Sequence, residues 1–159
     1  VAVLVLRSGK FAGAIFSAAG RALRHRAFAR YTTRRGQGGA QSALDGSGKK
    51  VKSVGSTLRR HGERALATDV VELLGKDWRA DLETCALVAV ACARPMRPLL
   101  FAADGSRAPP LDGADARVRK LPFAVAKASV AHVVTAYERL ATVFLHAAPP
   151  PPPPAAAPR

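Results

Sequence analysis

Glycine and positive charge meet in one stretch of the chain, YTTRRGQGGAQSALDGSGKKVKSVGSTLRRHGERAL, which spans residues 31–66. Gly36, Gly38, Gly39, Gly46 and Gly48 alternate there with small polar residues. Such a composition buries no core and leaves the backbone free to take positive φ, so a mobile loop is expected. Arg34 and Arg35 precede it, and Lys49, Lys50, Lys52, Arg59, Arg60 and Arg64 follow. A flexible tip with cations on both sides is suited to a polyanion, and a helix N-terminus fed by that loop adds N–H donors for phosphate.

Other chemistries fit poorly. Gly46-Ser47-Gly48-Lys49-Lys50 imitates a nucleotide P-loop, but Ala43 stands at its first glycine and Lys50 where a Ser or Thr must reach Mg²⁺. The acids Asp69, Glu72, Asp77 and Asp81 are spread along helical segments and read as solvated surface, so no two-metal nuclease site and no other metal site is expected. His25, His61, His132 and His146 have no zinc-ligand spacing with Cys85 and Cys92. No Ser/His/acid triad is indicated by the placement of Ser42 or Ser53. No cofactor is predicted.

The charge is lopsided: residues 1–66 hold 14 Lys and Arg against 2 acids, whereas residues 67–148 hold 10 against 9. A surplus confined to one part of the chain marks a face, and nucleic acid or an anionic surface is its natural partner. The length of 159 residues suits one domain with a core of its own. Cys85 and Cys92 read as two buried free thiols, which points to a reducing, cytoplasmic setting. No apolar run approaches a membrane span, and Val1–Leu6 is too short for a signal-peptide core. With no initiating Met, the chain reads as a piece of a longer protein.

The elements that must position the basic stretch follow from periodicity. Val1–Leu6 reads as a buried strand, Ser8-Gly9 as a turn, and Phe11–Phe16 as its hairpin partner. A third strand is expected over Arg21–Arg30, with Leu23, His25 and Ala27 on one face and His25 in the core. After the loop, Ser53 or Ser56 caps a helix of roughly 18 residues that buries Leu58, Leu66, Val70, Leu73 and Leu74 and stops at Gly75. Gly62 inside that helix costs about 1 kcal/mol relative to Ala, and the sequence supplies no reason for it. A short helix over Asp77–Glu83 and strands over Cys85–Cys92, Leu99–Ala102 and Leu121–Val125 come next, and Ser129 caps a closing helix. Residues 149–154 are six prolines, a polyproline II segment. The reading is therefore an α/β (α+β) mixed sheet with packed helices, ribonuclease-H-like in its order, over residues 1–147, with a proline-rich disordered tail over 148–159.

YTTRRGQGGAQS, followed by KSVGSTLRRHGERAL and DVVELL, resembles the Vms/ankyrin-repeat-and-zinc-finger family of ribosome-associated quality control, some of whose members serve endoplasmic-reticulum-associated degradation (ERAD). FAGAIF, LLF, DGS and ARVRKLPF fall in the family's order, so the resemblance covers nearly the whole folded part. His61-Gly62 and Ala126-Lys127 depart from the family pattern. The resemblance implies a release-factor catalytic-domain-like fold in which Gly38-Gly39-Ala40-Gln41 replaces a Gly-Gly-Gln loop, with Gln41 as the essential residue and Gln37 as its rival. It implies RNA cleavage within the 3′ acceptor end of peptidyl-tRNA on the large (60S) ribosomal subunit, and a segregase ATPase partner reached only through regions absent from this chain. A glutamine amide can hold a water or a 2′-hydroxyl while a backbone N–H faces an oxyanion, and arginines can stabilise a pentacovalent phosphate. The same groups serve ester hydrolysis, as in release factors, and a non-catalytic RNA-binding module would keep the basic face alone. The proline run could serve an adaptor, though such runs are common linkers.

Overall fold

The computed structural model describes residues 1–7, 9–32, 54–103 and 108–143. The elements are β1 (Ala2–Arg7), β2 (Lys10–Phe16), β3 (Ala22–Ala29), α1 (Val54–Glu72), a π-helical turn (Leu73–Asp77) and α2 (Arg79–Thr84). There follow β4 (Val88–Cys92), a 3-10 turn (Arg94–Met96), α3 (Pro98–Phe101), β5 (Val118–Lys120) and α4 (Val130–Ala141). The five strands form one sheet in the order β3-β2-β1-β4-β5. β2 is antiparallel to β1 and β3, while β4 is parallel to β1 and β5 to β4. This is the mixed sheet expected of a ribonuclease-H-like order, and it makes β1, β3, β4 and β5 all end at the same edge of the sheet.

Helices cover both faces, which explains the uninterrupted apolar run of β1. On one face Leu4, Leu6, Phe11 and Val90 pack against Leu66, Val70 and Leu74 of α1 and its continuation, with Trp78 and Leu82 alongside. On the other, Val3, Val5, Ala12, Phe16 and Ala89 pack against Val133 and Ala136 of α4, with Leu121 and Val125. The Ser129 hydroxyl accepts from the His132 backbone N–H as the N-cap of α4, and Tyr137 stacks on Phe16 at 3.9 Å.

Several expectations are corrected. Leu99–Ala102 is not a strand: Pro98 sits at the first position of α3, where its fixed φ is already helical. The last strand is Val118–Lys120 and not Leu121–Val125, because parallel pairing puts Val118 opposite Val88 and Lys120 opposite Val90. Leu121 and Val125 instead drop under the sheet. The strand expected over Cys85–Cys92 starts only at Val88, and Cys92 is half-buried where full burial was expected. Gly75 does not end the long helix; a π turn carries the chain through it to Asp77, and the Trp78 N–H closes on the Leu73 carbonyl at 2.8 Å. His25 is exposed, since β3 is an edge strand on which only Phe28 is drawn inward, stacked on Phe11 at 5.0 Å. Leu58 is 56% exposed, so the buried stripe of α1 begins only at Leu66.

Arg117 locks the end of α2 to the start of β5. Its Nη1 donates to the carbonyls of Glu83 at 2.6 Å and Cys85 at 3.1 Å, and its Nη2 to Asp115 Oδ2 at 2.7 Å. Hydrogen bonds from the Arg117 side chain and backbone hold the Asp115 carboxyl below its ordinary pKa, and the same side-chain bond raises that of Arg117.

Candidate nucleic-acid interface

The basic stretch leaves the sheet at the end of β3, where residues 30–32 are clamped from two sides. The Arg30 N–H donates to the Gly9 carbonyl at 2.8 Å. Gly9 has φ +75°, and a Cβ there would stand 2.2 Å from Thr32 Oγ1 and 2.7 Å from the Arg30 carbonyl, so no side chain fits in this turn. On the other side, the Tyr31 backbone crosses α1 at Gly62. A Cβ on Gly62 would lie 2.0 Å from the Tyr31 carbonyl oxygen and 2.8 Å from its carbon. The glycine that had no reason in the sequence is the place where backbone meets backbone. Arg30 Nε adds an ion pair with Asp69 Oδ2 of α1 at 2.7 Å, both side chains partly solvated.

The described chain resumes at Val54, the first residue of α1. The described residues on either side of the stretch, Tyr31 and Val54, therefore meet the same helix, about 12 Å apart along its axis from Val54 to Gly62 at 1.5 Å per residue. Arg59 lies one turn before Gly62 on the same side of α1 and is half-buried. Arg60 and Arg64 are exposed, and at 3.6 residues per turn they project roughly half a turn round from Tyr31. No ion pair joins Arg59 to Glu63 among the described residues.

Arg34, Arg35, Gly36, Gln37, Gly38, Gly39, Ala40, Gln41, Lys49, Lys50 and Lys52 lie outside the described residues, as do the expected cap Ser53 and the proline tail. Of the expected site residues the structure thus places Arg59, Arg60 and Arg64, all on α1, with Arg59 on the Gly62 side and Arg60 and Arg64 on the outer side. Gly9 was read from the sequence only as a turn residue, and Tyr31 and the Arg30–Asp69 pair were not singled out; the further signal was a glycine in a helix interior. Among the described residues, no three His, Cys, Asp or Glu side chains come together as metal ligands, and no helix is long and apolar enough to cross a membrane.

Comparison with known proteins places this arrangement. Residues 1–148 match the family described as Bacteroidetes VLRF1 release factor. The chain is 36% identical over 146 residues to a Bos taurus protein named tRNA endonuclease ANKZF1, covering 91% of this chain and 19% of that protein. It is 39% identical over 114 residues to the Schizosaccharomyces pombe tRNA endonuclease vms1, covering 71% of this chain and 18% of that one. The chain thus spans about a fifth of the length of these relatives. Among solved structures, one described as the Vms1 mitochondrial localization core superposes with a TM-score of 0.61 at 21% identity, over 92% of this chain and 57% of its own. That likeness speaks for the fold, and the sequence matches speak for descent: the chain belongs to the VLRF1 release-factor family.

Proposed function

We propose that this domain is an RNA endonuclease that cuts the 3′ acceptor end of peptidyl-tRNA on stalled large (60S) ribosomal subunits, freeing the nascent chain in ribosome-associated quality control. The observation that carries the reading is the clamp at Gly62, which ties Tyr31, where the stretch bearing Gln41 begins, to the helix bearing Arg59, Arg60 and Arg64. The naming of its relatives as tRNA endonucleases supports the substrate class. Gln41 positions the attacking water or 2′-hydroxyl, and the loop cations Arg34, Arg35, Lys49, Lys50 and Lys52 hold the RNA backbone and offset charge at the phosphate. We take residues 1–147 as the catalytic domain acting in the cytoplasm, with segregase contacts made by other parts of the full-length protein.

The test is direct. Purified 60S complexes carrying peptidyl-tRNA, treated with the protein, should yield a tRNA shortened at its 3′ end on a denaturing gel, and Gln41→Ala should lower the rate at least about a hundredfold, the usual range for one general acid-base or oxyanion group. Undiminished cleavage by Gln41→Ala would transfer the role to Gln37. The family description as a release factor favours a second reading, hydrolysis of the ester. It predicts full-length tRNA and a nascent chain without terminal nucleotides.

A further inference from the structure

At the edge of the sheet where β3 hands over to the glycine-rich stretch, β4 and β5 also end, and a cleft of about 530 Å³ opens beside them. Its rim carries Arg94 and Arg97 from the turn after β4, and Arg119 and Lys120 from β5, around Cys92 and Phe101. All four cations are exposed, and no carboxylate lines the cleft among the described residues. The neighbouring cleft of about 480 Å³, at the starts of β4 and β5, is different in kind, with Glu72, Glu83, Asp112 and Asp115 set among its cations. We propose that the cleft at the ends of β4 and β5 binds the phosphate backbone of the same RNA that the glycine-rich stretch engages, as a second contact about four to six nucleotides from the end of β3. This rests on the tRNA reading above and adds to it a docking surface on the opposite flank of the sheet.

Four observations bear on it. In open α/β sheets, ligands settle outside the carboxyl ends of the strands, and this cleft lies there for the parallel trio β1, β4 and β5. The Arg97 guanidinium lies over the Phe101 ring at 5.4 Å, which orients the planar fork while leaving N–H donors for an oxyanion. Burial pushes the Cys92 thiol up to about 11, against the pull of Arg97, so the sulfur stays neutral and cancels none of the surrounding charge. Among the described residues, the exposed large apolar side chains, Leu23, Tyr31, Leu58 and Val143, lie outside the cleft, which there lacks the apolar fringe that seats a protein on a lipid surface.

The separation follows from the sheet. β4 and β5 are three and four strands from β3, about 14–19 Å at the usual spacing of about 4.8 Å. At about 3.4 Å per stacked nucleotide, that is a span of about four to six nucleotides.

A length series of labelled single-stranded RNAs, from about three to ten nucleotides, tests the idea by fluorescence anisotropy on the full chain. Wild type should gain affinity in a step of about tenfold once the RNA reaches the cleft, and Arg97→Glu/Lys120→Glu should lack the step. With intact tRNA the variant's log–log salt slope should be flatter by about one to two units. An equal step and an equal slope in the variant would overturn the proposal. So would a loss confined to anionic phosphatidylserine vesicles, or an equal loss on the shortest RNA. If the double reversal fails to melt cooperatively, Arg97→Gln/Lys120→Gln carries the same test with a smaller change. Because binding is read without turnover, a wild type that shows the step and cuts no tRNA refutes the endonuclease reading alone, whereas cleavage without the step refutes the second contact alone.

Discussion

The two basic flanks of one sheet edge are built in opposite ways. On the α1 flank the cations ride on a helix whose second half supplies Leu66 and Val70 to the core, and whose first half bears directly on the Tyr31 backbone. On the β4–β5 flank they hang from a 3-10 turn, the residue after it and the last two residues of a short edge strand, all exposed. Position and stability are therefore coupled on the first flank and separable on the second. A substitution near Gly62 should disturb the fold and the RNA contact together, while one at Arg97 or Lys120 should disturb the contact alone.

The largest expected effect tests that coupling with two glycines of the same helical run. Gly62→Ala gains helix propensity but drives a methyl into the Tyr31 carbonyl, a backbone group that cannot swing aside. Overpacking of this kind costs about 1–3 kcal/mol, which for a domain of this size lowers the melting temperature by roughly 2–12 °C. Gly75, by contrast, has no atom within 4 Å of an added Cβ, so Gly75→Ala should be neutral or stabilising. Differential scanning calorimetry of the two variants decides the matter. Equal stability would mean that residues 30–32 are not pinned to α1 and that the two flanks are alike.

What the sequence reveals follows the same division. The α1 flank is contiguous in the chain, so its charge run and its apolar period are both legible from residues 54–74, as is β1 from an apolar run flanked by turn residues. Leu58 misleads because it keeps the helical period yet stands exposed one turn before the Tyr31 crossing at Gly62, so tertiary position overrides period. The β4–β5 flank is invisible to a count by halves, since nearby acids such as Asp77, Asp81 and Asp115 balance Arg94, Arg97, Arg119 and Lys120 numerically while lying elsewhere in space. Only the parallel register of β4 and β5 brings the cations together. A short run such as Leu99–Ala102 gives no period long enough to separate strand from helix, and Pro98 was the better guide.

Adjacent arginines sharpen the comparison next. Arg60 is exposed on the outer side of α1, whereas Arg59 is half-buried on the Gly62 side. Arg60→Glu should flatten the salt slope of tRNA binding by about one unit and leave stability within about 0.5 kcal/mol. Arg59→Glu should weaken binding and also lower the melting temperature, because it replaces a half-buried stem on the Gly62 side of α1 with a shorter, oppositely charged one. Wild-type affinity and slope in Arg60→Glu would remove the outer side of α1 from the RNA path and leave Arg59 as the contact on this flank.

The smallest effect concerns the strut behind the second flank. Asp115 is held below its ordinary pKa by hydrogen bonds from Arg117, and Arg117 in turn ties β5 to the end of α2. A carboxyl whose folded pKa is depressed adds stability that is fully present above its unfolded value, about 3.9, and is lost as pH falls through the lower folded value. The pair is partly exposed, so its contribution is screened and small. The melting temperature of Asp115→Asn should therefore sit slightly below wild type at neutral pH, and the gap should close as the pH is taken below about 3.9. Because Arg117 keeps its bonds to the Glu83 and Cys85 carbonyls, β5 should stay in register and RNA binding at neutral pH should not weaken. A gap that persists unchanged into strong acid would show that the ionised carboxylate contributes nothing to the strut. A matching fall in RNA affinity would show that the second flank, too, couples its charge to the fold.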